Sequence, residues 1–263
     1  MNTKIAIIGG GNLGTAIAKG LVKNNFKPEN ITLTRRKVEL LNELKNLGIN
    51  TSSDNKAAVQ KAEVILLTVK PYKTDNILAE IAPFIKKNWH LIVSMVSGVS
   101  IAHIKSIIKT DIPVYRAMPN TAIAINESMT CIAVPNANNG QKELIKSIFS
   151  GLGDMVFMNE EMMDAATVLA ACGIAFVMRF IRAMVQGGIE IGFDAKTASR
   201  IANQTVKGAA DLLIKNGLHP EEEIDKVTTP KGYTISGLNE MEHNGFSSSL
   251  IKGILTSFNK IDK

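Results

Sequence analysis

The sequence predicts an α/β fold in two parts, a parallel sheet covered by helices over residues 1–158 and an all-helical region over 159–263. Two observations carry this division. In the first part, short apolar segments alternate with segments of helical length. Beyond about Asn159 the strand pattern stops and small residues recur at helical spacing.

The strand candidates are Lys4–Ile8, Ile31–Thr34, Val64–Val69, His90–Ser94 and Pro113–Arg116, all short and mostly apolar. Helical segments lie between them, at Asn12–Asn24, Lys37–Leu47, Lys73–Ile85 and Ile101–Ile108. Alternation at these lengths indicates βαβ units and a parallel sheet. Nearly continuous apolar strands indicate a sheet covered on both faces. Met129–Val134 and Met155–Met158 add the last strands, on either side of a helix at Asn139–Ser150. From Glu160 to Asn216 there is no proline, and Ile201, Thr205, Gly208, Ala209 and Leu212 repeat at helical spacing. Alanines and glycines there would let helices approach closely.

The chain has 263 residues, 45% of them hydrophobic, enough for one large domain or two modest ones. Its net charge of +6 suits a small polyanion. The 30 Lys and Arg are scattered, with no run longer than Arg35-Arg36-Lys37, and aromatics are 5%. That composition argues against nucleic acid. Cys131 and Cys172 have no ligand spacing, which implies buried free thiols in a reducing compartment and no metal site. The longest apolar stretch, Ala165–Met178, is 14 residues. It falls below spanning length and predicts a buried core helix in a cytoplasmic protein without membrane contact.

Chemistry first appears in "KIAIIGGGNLGTAIAKGL", where Gly9-x-Gly11-x-x-Gly14 follows the first strand and opens a helix. Gly9 allows the tight turn, Gly11 lets a pyrophosphate approach the backbone, and Gly14 lets helix and strand pack closely. In a βαβ context this predicts a Rossmann-like dinucleotide-binding domain. The second strand ends in Thr34, Arg35 and Arg36 without the carboxylate that would bind a ribose 2′-hydroxyl. Arginines there suit a 2′-phosphate, so NADPH is favoured, with NADH as the alternative.

These residues, together with "TVKPY" (Thr68–Tyr72), "SMVSG" (Ser94–Gly98), "RAMPNT" (Arg116–Thr121), "MDAATVLAACGIAFV" and "VTTPKGYTISGL" (Val227–Leu238), resemble pyrroline-5-carboxylate reductase over nearly the whole chain. The resemblance implies NADPH-dependent reduction of 1-pyrroline-5-carboxylate to L-proline, the last step of proline biosynthesis. It implies that the helical region forms a homodimer, or a larger homo-oligomer of dimers, and that the late loop closes the substrate site. Asn12, Leu13, Val69, Lys70, Pro71, Met118, Pro119 and Asn120 would join the glycines and Thr34, Arg35 and Arg36 around the cofactor. Thr234 would hydrogen-bond the imine nitrogen, and Thr229, Lys231, Gly232 and Tyr233 would surround the substrate carboxylate.

The loop's own residues agree with that role. Pro230 and Gly232 can turn the chain before a helix starting at Thr234 or Ile235, and amides at a helix start suit a carboxylate. Three departures stand out. The family's Ser-Gly-Ser-Gly-Pro-Ala reads Ala170-Ala171-Cys172-Gly173-Ile174-Ala175, an acidic position is Arg182, and one glycine of Pro-Gly-Gly is Lys231. Cys172 has no histidine motif beside it and reads as a small core thiol rather than a nucleophile. Two other functions compete: a reductase of another small imino or hydroxy acid, and a dinucleotide-sensing regulatory paralogue without turnover.

Overall fold

The computed structural model describes residues 2–134 and 139–261. The chain divides into two compact units, Met1–Cys172 and Gly173–Lys263.

The first unit is built on an eight-stranded sheet in the order β3-β2-β1-β4-β5-β6-β7-β8. The strands are β1 (Ile5–Ile8), β2 (Ile31–Thr34), β3 (Asn50–Ser52), β4 (Val64–Leu67), β5 (Leu91–Ser94), β6 (Val114–Met118), β7 (Ser128–Ala133) and β8 (Gly153–Met158). The pairs are parallel except for β6 with β7. Strand order reverses between β1 and β4, where an open α/β sheet leaves a crevice at the carboxyl ends of its strands.

The helices of this unit are α1 (Asn12–Lys23), α2 (Asn42–Asn46), α3 (Asn55–Lys61), α4 (Thr74–Ile81), α5 (Ile101–Ile108), α6 (Asn139–Phe149) and α7 (Met163–Ala166). Alternate strand residues serve opposite faces. Ile5, Ile7, Leu33, Leu66, Val93 and Tyr115 pack with Ile17 and Leu21 of α1 and Ile148 of α6. Ala6, Ile8, Ile65, Leu67, Ile92 and Val114 pack with Val59, Leu78 and Ile104 on the other side. Apolar runs without alternation are therefore what a doubly covered sheet requires.

The expected helix Lys37–Leu47 is a 3-10 turn, Val38–Leu41, followed by the short α2. Two elements escape the apolar pattern, although α3 buries Ala58 and Val59. β3 is a polar edge strand, Asn-Thr-Ser, and the seven-residue α3 is fixed by Asp54, whose carboxylate accepts from the Ala57 N–H at 3.0 Å. After β8 the chain continues through α7 into a π-helical turn, Thr167–Cys172.

The second unit contains α8 (Gly173–Glu190), α9 (Ala195–Asn216), α10 (Pro220–Lys226), α11 (Tyr233–His243) and α12 (Phe246–Phe258). Asp194 starts α9 by accepting from the N–H groups of Lys196 and Thr197, and Gly217 ends it in the left-handed conformation. The buried core of this unit is small, with Val185, Ala198 and Ala202 at its centre. The Phe180 and Phe246 rings meet at 5.9 Å.

The expectation of a buried helix at Ala165–Met178 needs correction. The helical run Glu160–Glu190 spans 31 residues, and by length and composition it could cross a membrane. Little of it is covered by this chain: Leu169 is 70% exposed and Met178 57%. Cys131 is buried as expected, whereas Cys172 is half-buried.

Candidate active site

The carboxyl ends of β1, β2, β4 and β6 bring one group of site residues to the crevice. β1 runs into the glycine turn, and α1 starts at Asn12 with Gly11 as its N-cap. No side chain caps this end, and its first turn has no acidic residue, so its amides remain open to an anion. The turn is tied to β2, because the N–H groups of Gly9 and Gly10 both donate to the Thr34 carbonyl, at 3.2 and 2.6 Å.

The three glycines have different physical roles. Gly9 sits at φ +121°, a conformation that side chains rarely adopt, and a Cβ there would meet the Thr68 carbonyl oxygen at 2.8 Å. A Cβ on Gly14 would run into the Gly9 carbonyl and come within 2.8 Å of the Thr68 hydroxyl. A Cβ on Gly11 would meet nothing within 4 Å. Two glycines thus hold the turn closed and the third leaves its outer side open. Thr68, quoted in a motif but given no task, has one: its hydroxyl donates to the Gly9 carbonyl at 2.8 Å.

At the end of β2, Arg35 folds back so that Nη1 donates to the Gly10 carbonyl at 2.9 Å. Arg36 is exposed. Thr34 is buried, and its hydroxyl donates to Asn55 Oδ1 at 2.7 Å, while Asn55 Nδ2 donates to Glu80 at 3.2 Å. The Thr34 hydroxyl is thus already committed. Asn55 escaped sequence reading because α3 was not visible as a helix. Asn12, Lys70 and Pro71 are exposed, while Leu13 and Val69 are half-buried.

At the end of β6, Met118 and Pro119 are buried and Asn120 is half-buried. Asn120 accepts from the Ala122 N–H at 3.0 Å, and its amide reaches the Ala170 carbonyl at 3.4 Å. A separate 540 Å³ hollow, lined by residues such as Trp89, Lys105 and Gln141, lies at the opposite ends of β4, β5 and β6, away from this crevice.

The second group lies in the helical unit. The Gly232 N–H donates to the Thr229 carbonyl at 2.8 Å, closing a turn with Pro230 and Lys231 at its centre. Proline followed by a positive φ is the type II pattern, which favours glycine at the later position. Here Lys231 occupies it at φ +59°. Gly232 is required for another reason, since a Cβ would meet the Thr229 hydroxyl at 2.5 Å. α11 starts at Tyr233, one residue before the earlier of the two expected starts, and Gly232 caps it without a side-chain bond. Tyr233 is 99% exposed.

Both parts of the chain match known families. Residues 160–263 match the pyrroline-5-carboxylate reductase dimerisation family, and residues 4–98 match the family described as NADP oxidoreductase, coenzyme F420-dependent. Two relatives come from Dictyostelium discoideum. Pyrroline-5-carboxylate reductase 1 is 48% identical over 97% of this chain, which spans about half (49%) of that relative's length. Pyrroline-5-carboxylate reductase 2 is 44% identical over 100% of this chain and 93% of its own. This chain belongs to the pyrroline-5-carboxylate reductase family. A crystal structure of Plasmodium falciparum pyrroline carboxylate reductase with NADP bound superposes with a TM-score of 0.88, at 26% identity, over 99% of this chain and 97% of that one. As a pyrroline-5-carboxylate reductase family member, the chain is an oxidoreductase, and its first part matches a family described as NADP oxidoreductase.

Two expected results follow for this reductase fold. If Arg35 meets the 2′-phosphate, Arg35→Asp should weaken NADPH binding at least tenfold more than NADH binding, because a carboxylate would replace the guanidinium there. Fluorescence titration with both cofactors checks this, and equal weakening would remove Arg35 from phosphate recognition. Lys231→Gly should stabilise the protein by about 0.5–1 kcal/mol by relieving the left-handed strain. The same change should raise KM for an anionic substrate several-fold at low salt with kcat little altered. An unchanged KM would leave Lys231 without a role toward the carboxylate.

Proposed function

We propose that this chain reduces 1-pyrroline-5-carboxylate to L-proline with NADPH, the last step of proline biosynthesis. The observation that carries the reading is the glycine turn at the β1/β4 reversal, whose outer side is open at Gly11. Its residues fit a dinucleotide. Gly9, Gly11, Asn12, Leu13 and Gly14 would hold the pyrophosphate. Arg35 and Arg36 would meet the 2′-phosphate beside Thr34, whose hydroxyl is held by Asn55. Val69, Lys70, Pro71, Met118, Pro119 and Asn120 would border the nicotinamide half.

Bound NADPH supplies the hydride, so the protein's task is to orient and polarise. Thr229, Lys231, Gly232 and Tyr233 would hold the substrate carboxylate at the uncapped start of α11. Thr234 would hydrogen-bond the imine nitrogen and orient it. A threonine hydroxyl is too weak an acid to be the main proton source, so water completes protonation.

The functional division falls at 158/159, giving a dinucleotide-binding domain followed by a helical dimerisation and substrate-loop domain. The dimerisation match beginning at residue 160 supports this boundary. The compact units separate later, since Met163 and Ala171 pack against the sheet core. The helical region would form a homodimer, the unit of any higher assembly. Leu212, Leu250, Ile251 and Leu255, all exposed in the single chain, supply apolar surface for a second copy. The same covering would account for the exposed apolar run without a membrane. A cytoplasmic enzyme without a nucleic-acid partner fits the free cysteines and scattered basic residues. Ile251→Asp with Leu255→Asp should yield monomers by light scattering; an unaltered assembly would place the interface elsewhere.

Absorbance at the reduced-nicotinamide band tests the activity. NADPH should be consumed only when pyrroline-5-carboxylate is added. NADPH binding without consumption would favour the sensing reading, and consumption with a small hydroxy or keto acid alone would favour another reductase.

A further inference from the structure

β6 carries a charged side chain where a core residue is expected. Arg116 lies between Val114 and Met118 on the face that packs against the second core, and it is 6% exposed. Its Nη1 donates to Glu160 at 3.2 Å, and its Nη2 lies 3.8 Å from Asp164. Nε is buried with no hydrogen-bond partner, the one such side-chain atom among the described residues. Glu160 also accepts from the Ile101 N–H at 2.8 Å, at the start of α5.

A buried, incompletely satisfied cation is a poor stabiliser, because desolvation offsets much of the ion-pair energy. The best-attested use of such a group is to fix register. Here the carboxylates stand on the turns that lead into the π-helical turn Thr167–Cys172. π-turns are rare and recur at functional sites. Arg116, Met118 and Asn120 follow one another at period two along the same face. Two residues of the π-turn meet that face, Ala170 through the Asn120 amide and Ala171 through the core that includes Met118.

We propose that Arg116 is a positioning residue for hydride transfer: through Glu160 and Asp164 it fixes the π-helical turn Thr167–Cys172 against the end of β6 at Met118–Asn120. The proposal rests on the reductase reading, in which that strand end borders the nicotinamide.

The test uses Arg116→Met, Arg116→Lys, Asp164→Asn and the uncharged Arg116→Met/Glu160→Leu/Asp164→Leu. Turnover, NADPH affinity, melting temperature and the isotope effect with 4-deuterated NADPH are measured on each. Arg116→Met should lower kcat by roughly ten- to a hundredfold, since small displacements of reacting groups cost rate steeply. NADPH affinity should stay within threefold of the unaltered protein. Arg116→Lys should recover part of kcat. The uncharged triple variant should regain the melting temperature while kcat stays low and the isotope effect rises. Asp164→Asn, at a half-exposed position, keeps the test open if the larger changes fail to fold, and should lower kcat several-fold without altering stability. Normal kcat in the folded triple variant, or in Asp164→Asn, would overturn the proposal. Absence of turnover in the unaltered protein would instead overturn the reductase reading.

Discussion

Gly14→Ala should lose NADPH binding by on the order of 100-fold or more and lower stability at the same time. The added methyl would enter the space of the Gly9 carbonyl and approach the Thr68 hydroxyl at 2.8 Å, both of which hold the turn. Neither is the free end of a flexible side chain, so α1 would have to move away from β1. Overpacking of this kind costs about 1–3 kcal/mol of stability. It also carries the amides of the helix start away from the pyrophosphate, and each charge-assisted bond lost costs about 1.5–3 kcal/mol. Gly11→Ala is the matched control. Its φ of −84° suits alanine and its Cβ would meet no protein atom within 4 Å. It should therefore melt normally yet still bind NADPH poorly. Normal binding in Gly11→Ala would show that the dinucleotide does not lie against this turn.

Thr234→Ala should reduce kcat/KM by roughly tenfold to several-hundredfold while leaving NADPH affinity unchanged. Thr234 is exposed in the first turn of α11, and among the described residues its hydroxyl bonds to none. A free hydroxyl beside uncapped amides can be used by a ligand without breaking an internal bond. Losing one polarising donor costs about 1–4 kcal/mol of transition-state stabilisation. Thr234→Ser should recover much of the rate. Steady-state kinetics on both variants decide the point, and wild-type rates in Thr234→Ala would reduce this residue to part of a helix start.

The sheet and glycine turn were legible because burial on both faces and φ restriction leave direct marks on residue type. The apolar runs located β1, β2, β4 and β5 almost to the residue, and the three glycines located the turn. β3 and α3 left no such mark. A three-residue polar edge strand shows no apolar run, and the seven-residue α3 buries only Ala58 and Val59, too few for a helical stripe to stand out. Asn55 was missed with them, and so was the commitment of Thr34 to it. Spacing alone could not reveal Arg116 either, because one arginine in a strand motif does not announce two carboxylates more than forty residues later. The exposed Glu160–Glu190 run was misread because apolar sequence implies covering without saying whether the same chain provides it. Lys231 was visible as a departure, but its left-handed backbone was not.

The most direct measurement follows the hydride itself. Purified protein is incubated with 4-deuterated NADPH of each stereochemistry and 1-pyrroline-5-carboxylate, and the product is examined by mass spectrometry and NMR. The account predicts L-proline carrying one deuterium at C5, from one of the two labelled cofactors. Unlabelled proline from both labelled cofactors, or no proline while the protein still binds NADPH, would contradict it.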